Sequence, residues 1–197
     1  MEAQNHDSLE KIEAEVRGCP LCKLARTRMN AVSGEGQLSA KIMFIGEAPG
    51  RSEDEKGRPF VGAAGRILDS LLEKAGIERS QVFITNVVKC RPPNNRVPEE
   101  DEAAACRPYL DRQIALIKPK VICVLGRTAY SSLLGGSSIT ANRGKIVEKA
   151  GEKYFLTFHP AAAIYNKSLL SALEADLKEL AKEIKKEEGK GSMEDYL

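Results

Sequence analysis

The sequence lacks long apolar runs, has little net charge and contains only two histidines. No run reaches the roughly 18 apolar residues that a membrane-spanning helix requires, so no membrane partner is expected. Residues 1–15 are acidic and have no apolar core, which argues against a secretory signal. Because 30 basic and 28 acidic residues nearly cancel, a nucleic-acid partner would need a local basic face rather than a high total charge.

These absences predict a cytoplasmic protein whose thiols stay reduced. Its five cysteines then indicate metal ligation or burial more than a disulfide framework. The length of 197 residues predicts one domain with a substantial core, which we place at residues 1–187. The polar residues 188–197 are expected to form a flexible tail.

Strands and helices are predicted to alternate along the chain. This order is typical of a mainly parallel sheet with helices on both faces. Pro108 lies inside a predicted helix over residues 99–117, where it should cause a break or a kink. The predicted strands are residues 41–46, 82–88, 121–125, 144–148 and 153–158.

A loop rich in glycine, proline and charge, residues 46–65, follows the first predicted strand. Proteins of this class bind ligands where strands end in such loops, and backbone N–H groups there can hold an anion. A solvated connector is the alternative interpretation. The large aromatic residue Phe60, in otherwise polar surroundings, favours a pocket.

Four cysteines lie outside the predicted strand interiors. Cys19 and Cys22 form a C-x-x-C pair, while Cys90 and Cys106 are distant from it and from each other. Four thiolates of this kind can hold zinc or an iron–sulfur cluster, and their spacing leaves both open, together with four unrelated thiols. Cys123, in the most apolar strand, is interpreted as a small buried hydrophobe.

Several motifs occur in an order that resembles the iron–sulfur (family 4) uracil-DNA glycosylases. The resemblance extends from Cys19 to Ile184 and includes the four cysteines. The motifs are Gly46-Glu-Ala-Pro-Gly50, Glu53-Asp54, Gly57-Arg-Pro-Phe-Val-Gly62, Thr85-Asn-Val-Val-Lys-Cys90-Arg-Pro-Pro and His159-Pro-Ala-Ala-Ala163.

The resemblance implies a three-layer α/β/α domain with a central four-stranded, mainly parallel sheet. It implies a monomeric enzyme that flips uracil out of DNA and hydrolyses its N-glycosidic bond in base excision repair. It also implies a [4Fe-4S] cluster, with a structural role, on Cys19, Cys22, Cys90 and Cys106. The alternative function is a cluster-bearing nucleic-acid-binding or redox module without glycosylase turnover.

Five residues are candidates for contacts with uracil. Phe60 would stack on the base, as in the resembling family. Asn86 offers an amide that suits uracil N3–H and O4, whereas cytosine presents the opposite pattern. His159 would donate to O2 as negative charge builds on the departing base. Backbone N–H groups of Glu47 and Ala48 would add donors.

The attacking water has no evident partner, because Ala48 stands where other uracil-DNA glycosylases carry an aspartate. Glu47 and Glu53 are the candidates for positioning this water, and solvated loop carboxylates are the alternative for both. We therefore expect stabilisation of the leaving base to dominate, by a dissociative route.

Contacts to DNA are expected from the loops at the same sheet edge. Gly62, at a helix start, would hold a phosphate, and Ile164 or Tyr165 would fill the gap left by the flipped nucleotide. Residues 190–197 resemble a sliding-clamp-binding peptide, with a frayed tail as the alternative. Four basic residues are further candidates for phosphate contacts: Arg91, Arg96, Arg143 and Lys145.

Overall fold

The computed structural model describes residues 7–194, and their side chains through residue 186. A six-stranded sheet in the order β1-β3-β2-β4-β6-β5 forms its centre. The four inner strands are parallel, and β1 and β5 pair antiparallel at the two edges. The strands are β1 Glu35–Gly36, β2 Ile42–Gly46, β3 Phe83–Asn86, β4 Val121–Leu125, β5 Ile146–Lys149 and β6 Glu152–Thr157.

Helices cover both faces of the sheet. Buried apolar residues of α4 and α5 pack on one face, and those of α3 and α8 on the other. No helix in the described part of the chain combines the length and apolarity needed to cross a membrane. The helices are α1 Leu9–Gly18, α2 Arg51–Lys56, α3 Ala63–Ala75, α4 Glu100–Ile117, α5 Arg127–Leu134, α6 Ile139–Asn142, α7 Ala162–Tyr165 and α8 Leu169–Glu194.

The α/β class is confirmed, but the expected four-stranded sheet is wrong because two short edge strands extend it to six. Strand β1 has only two residues, too few for any alternating pattern to show in the sequence. Strand β5 forms a hairpin with β6. Its turn residues Ala150 and Gly151 both have positive φ, as tight hairpins require.

The predicted break at Pro108 is absent, because α4 runs unbroken from Glu100 to Ile117. Proline removes the hydrogen bond to the carbonyl of Ala104, and both residues are exposed, so that carbonyl can bind water. Helix α8 continues to Glu194, beyond the predicted domain end at residue 187. The side chains of the clamp-like peptide, residues 190–197, lie outside the described part.

Candidate active site

The carboxyl ends of the parallel strands border a cavity of about 270 Å³. Phe60, Asn86 and His159 all line it, together with Glu47 and Ala48 from the loop after β2. The Phe60 and His159 rings stack with centroids 5.5 Å apart. A larger groove of about 620 Å³ between α4 and α5 holds none of the predicted site residues. Phe60, Asn86 and His159, which were predicted to contact the same uracil ring, therefore line the same cavity.

Asn86 is the last residue of β3 and is almost fully buried. It lies opposite Gly46 in the parallel ladder. A Cβ atom on Gly46 would lie 2.5 Å from Asn86 Oδ1 and 2.8 Å from Phe60 Cζ, so only glycine leaves room for both side chains. Asn86 Oδ1 is the only buried side-chain oxygen or nitrogen, among the described residues, that has no hydrogen-bond partner. Such an acceptor costs about 1–3 kcal/mol unless a ligand supplies the missing donor.

His159 follows β6 and presents one particular tautomer. Its Nδ1 accepts a hydrogen bond from the N–H of Ala161 at 3.1 Å, which leaves the ring proton on Nε2. Burial lowers the pKa of His159 to about 4, and the Glu53 carboxylate opposes this shift only weakly. The imidazole is therefore neutral near pH 7 and offers Nε2–H as a donor.

The backbone of Phe60 is held in place by its close contact with the start of α3. Its φ of 51° is in the left-handed region, which is uncommon for an aromatic residue. A Cβ atom on Gly65, in the first turn of α3, would lie 1.8 Å from the Phe60 carbonyl oxygen. The close approach of α3 to this carbonyl therefore requires glycine and holds the backbone that carries the ring.

The carboxylates of Glu47 and Glu53, the two candidates for positioning water, differ in their hydrogen bonds. Glu53 Oε1 accepts hydrogen bonds from the N–H groups of Val61 and Gly62 at 2.9 and 2.8 Å. Its Oε2 accepts one from the N–H of Gly50 at 3.2 Å, so this carboxylate ties the start of α2 to the start of α3. Glu47 lines the cavity, and its carboxylate has no hydrogen bond or ion pair with any residue that the structure describes.

The predicted DNA-contacting residues lie in different settings. The N–H of Gly62 donates to Glu53, so the amide expected to hold a phosphate is already bonded. Ile164 and Tyr165 lie on α7 with 45% and 90% of their surfaces exposed, and Tyr165 borders the cavity. The side chains of Arg96 and Arg143 form ion pairs within the chain.

The four predicted cysteine ligands come from segments around α1, β3 and α4. Burial raises the pKa of the Cys106 thiol to about 11, and the charges of Cys90 and Cys22 add to that rise. The charges of Cys22 and Cys19 raise the pKa of Cys90 in the same way, and Cys22, Cys90 and Cys106 pack in the same apolar core. No three Cys, His, Asp or Glu side chains of the described chain meet in a metal-binding arrangement. Cys123 lies apart from them and is fully buried in β4.

Two contributors to the site were not predicted. Asn95 lines the cavity from the loop after β3, a loop that its three prolines mark only as irregular. Arg96, which was predicted only as a candidate for a phosphate contact, lines the cavity beside it. Lys89 is 1% exposed at the base of that segment, and burial lowers its pKa to about 7. A single lysine after two valines carries no periodic signal that would predict its burial.

At one edge of the sheet in this three-layer α/β fold, an aromatic ring, an amide with an unpartnered oxygen and a neutral imidazole form the class of site that suits a planar, hydrogen-bonding ring. Comparison with known proteins makes this class specific. The family model of the uracil DNA glycosylase superfamily matches residues 33–185. The chain belongs to this superfamily.

Relatives that match most of the chain are type-4 uracil-DNA glycosylases. The protein of Sulfurisphaera tokodaii is 59% identical over 184 residues, which cover 88% of this chain and 84% of the relative. The protein of Saccharolobus solfataricus is 51% identical, with 88% and 85% covered. The protein of Thermotoga maritima is 46% identical, with 91% and 96% covered. The resemblance to family 4 is therefore confirmed.

Proposed function

We propose that this chain is a monofunctional uracil-DNA glycosylase. The observation that carries the proposal is the buried, unpartnered Asn86 Oδ1 in the cavity that Phe60 and His159 also line. Superfamily membership and the names of the type-4 relatives support the same activity. Neither supports the alternative of a binding or redox module without turnover.

The cavity residues match the edge of an extruded uracil. Asn86 Oδ1 accepts from N3–H and its Nδ2 donates to O4, while cytosine would oppose both groups with like ones. Phe60 stacks on the base. His159 Nε2–H donates to O2, where negative charge develops as the glycosidic bond breaks, so this bond strengthens toward the transition state. Backbone N–H groups of Glu47 and Ala48 add to this stabilisation.

Glu47 is the better-supported candidate for positioning the attacking water. Glu47 lines the cavity and its carboxylate is bonded by none of the residues that the structure describes, whereas both oxygens of Glu53 bind backbone N–H groups. Glu53 then acts on the loop that carries Phe60. Water attacks the sugar carbon as the uracil anion leaves with the pair of bonding electrons, and the proton that the water loses passes to the Glu47 carboxylate and from there to solvent.

The cysteine set suits a [4Fe-4S] cluster. Arg28 Nη1 lies 3.1 Å from Cys90 Sγ, and the N–H of Lys89 lies 3.5 Å from Cys106 Sγ, so two of the four sulfurs already receive donors. Such donors stabilise thiolate ligands. When bound, the cluster supplies a structural crosslink between the segments carrying Cys19, Cys22, Cys90 and Cys106.

DNA would approach over the cavity mouth. Tyr165 or Ile164, both exposed on α7, would occupy the gap in the stack, and Gly62 marks the adjacent start of α3. We place the enzyme in the cytoplasm with the genome, acting as a monomer. Residues 190–197 would bind a sliding clamp. A pull-down with the clamp tests this: the full chain should be retained and a chain ending at residue 189 should not.

A uracil-containing oligonucleotide tests the proposed activity. Incubation with the protein followed by alkali should produce strand cleavage at the uracil position only. Cleavage without alkali would indicate a lyase rather than a monofunctional enzyme. A mobility shift without an abasic product would favour the binding module and contradict the proposal.

A further inference from the structure

A buried lysine, Lys89, bonds to the backbone of Asn86, the residue whose side-chain amide is assigned to uracil. Lys89 Nζ lies 2.6 Å from Thr85 Oγ1, 2.7 Å from Gln113 Oε1 and 3.0 Å from the Asn86 carbonyl oxygen. A lysine ammonium has three protons and no acceptor. These three acceptors therefore use its full donor capacity, and none of them is a carboxylate.

Two of the three acceptors are themselves anchored at Ser33. Thr85 Oγ1 donates to the Ser33 carbonyl oxygen at 2.7 Å, and Gln113 Nε2 donates to the same oxygen at 2.9 Å. The Thr85 hydroxyl, whose proton is used at Ser33, accepts from Lys89 through an oxygen lone pair. Gln113 accepts from Lys89 through its amide oxygen while its amide nitrogen is held at Ser33. The network thereby joins β3, α4 and the segment before β1. Buried networks of this kind are rigid when every member is satisfied.

The third acceptor is the backbone of Asn86 itself. Beyond β3, the N–H groups of Val87 and Val88 bond to the carbonyls of Gly46 and Glu47. The Asn86 carbonyl is bonded by the side chain of Lys89, three residues later. The Asn86 carbonyl and the Val87 N–H belong to the same peptide group, so the bond to Gly46 and the bond from Lys89 together fix the peptide plane that directly follows the Asn86 side chain.

We propose that Lys89 is a positioning residue for uracil recognition, which holds the Asn86 carbonyl and so sets where the Asn86 amide meets the base. Lys89 does not contact the base in this account and acts only through Asn86. The inference rests on the proposed function, because it assumes that Asn86 binds uracil. It predicts that Lys89 matters for excision only while the amide is present.

A double-mutant cycle tests this dependence. Lys89→Met keeps the length of the side chain and removes its donors. We expect Lys89→Met to lower the single-turnover rate of uracil excision about tenfold, a change of about 1.4 kcal/mol, and to weaken inhibition by free uracil. In the Asn86→Ala background, Lys89→Met should cause no further loss of rate. An equal loss in both backgrounds would overturn the proposal.

Three controls separate this role from stability and from the cysteines. Leu72→Ala, in the core on the opposite face of the sheet, should lower the melting temperature without changing the excision rate well below it. Iron content should be unchanged in Lys89→Met, and its loss would assign the ammonium to the cysteine site instead. If the unmutated chain excises no uracil, the proposed function fails before the cycle begins.

A second variant covers the case in which Lys89→Met does not fold. Gln113→Leu releases one anchor of the ammonium and leaves the Lys89–Asn86 bond possible. We expect a smaller loss of rate, again absent in the Asn86→Ala background. A loss that persists in that background would contradict the role assigned to Lys89.

Discussion

The cavity and the cysteine region differ in whether their buried polar atoms have hydrogen-bond partners. In the cavity, Asn86 Oδ1 is left without a partner. In the cysteine region, the sulfurs of Cys90 and Cys106 each receive an N–H donor. A transient ligand brings its own donors and leaves again, whereas a permanent group is held by donors that the chain supplies. The difference matches a substrate site on one side and a structural site on the other.

Both regions depend on the short segment that runs from the last residue of β3 to Cys90. Asn86 lines the cavity, Cys90 belongs to the cysteine set, and the side chain of Lys89 bonds to the Asn86 carbonyl. The substitutions below therefore ask whether the two regions can be damaged separately.

Removing the cavity donors should give the largest effect. Asn86→Ala and His159→Ala should each lower the single-turnover rate of uracil excision by roughly 10²-fold or more, the loss expected for one key donor to a developing anion. Iron content should not change in either variant. Quenched-flow or gel measurements on a uracil oligonucleotide would report the rate. Near-normal excision by both variants would refute their roles.

The converse substitution should damage the cysteine region first. Cys106→Ala should lose iron and the visible absorbance of a cluster, and its melting temperature should fall. Cys123→Ala is the matched control, because Cys123 is equally buried but lies in β4 away from the other four. It should keep its iron. One zinc and no iron in the anaerobically purified protein would contradict the cluster.

The sequence was most informative where a residue with suitable chemistry stands at the end of a predicted strand. Strand ends marked by Gly46, Asn86 and His159 were enough to predict that one sheet edge would gather the site, because parallel strands end at the same edge. The partner of Glu53 could not be predicted in this way. Its three bonds go to backbone N–H groups of Gly50, Val61 and Gly62, and backbone donors have no residue type that a pattern could show.

The edge strand β1 and the burial of Lys89 were missed for related reasons. Strand β1 is too short for periodicity, and the burial of Lys89 depends on acceptors from Thr85 and Gln113 that lie far apart in sequence. Spacing arguments detect faces of helices and strands. They do not detect which polar side chains of different elements satisfy one another in the interior.

The two glutamates of the loop should respond differently to the same substitution. Glu47→Gln should lower the excision rate by about tenfold with little change in melting temperature, because its carboxylate bonds to none of the described residues. Glu53→Gln should lower the melting temperature as well, since an amide cannot accept on both sides from Gly50, Val61 and Gly62. Excision rates and melting curves measured for both variants would test this difference. Equal melting temperatures would contradict the bracing role of Glu53.

A single added methyl group can test how tightly the cavity wall is packed. Gly46→Ala places its Cβ against Asn86 Oδ1 and Phe60 Cζ, so we expect a several-fold lower excision rate and a weaker affinity for free uracil. Gly18→Ala is the control, because a Cβ there would meet nothing within 4 Å. Its rate should match that of the unmutated chain. A Gly46→Ala variant with unchanged kinetics would mean that the wall yields easily.

The smallest expected effect is on the pH dependence of excision between pH 8 and 5. Since the pKa of His159 is lowered to about 4 by burial, the imidazole stays neutral across this range and its Nε2–H donor is present throughout. The contribution of His159 to the rate should therefore be flat and fall only near pH 4. A fall in rate with a midpoint near 6.5 would show an imidazole that titrates as if exposed to solvent.

The lowered pKa of His159 should also make the free energy of unfolding depend on pH, over a wider range than the excision rate. The unfolded chain binds a proton on this imidazole near pH 6.5, its ordinary value, while the folded chain does not until about pH 4. The contribution to the free energy of unfolding is therefore complete above pH 6.5 and is lost progressively as the pH falls toward 4. His159→Gln removes the titrating ring, so its melting temperature should fall less over this window. An equal fall in both proteins would mean that other groups cause the acid sensitivity, and it would contradict the lowered pKa of His159.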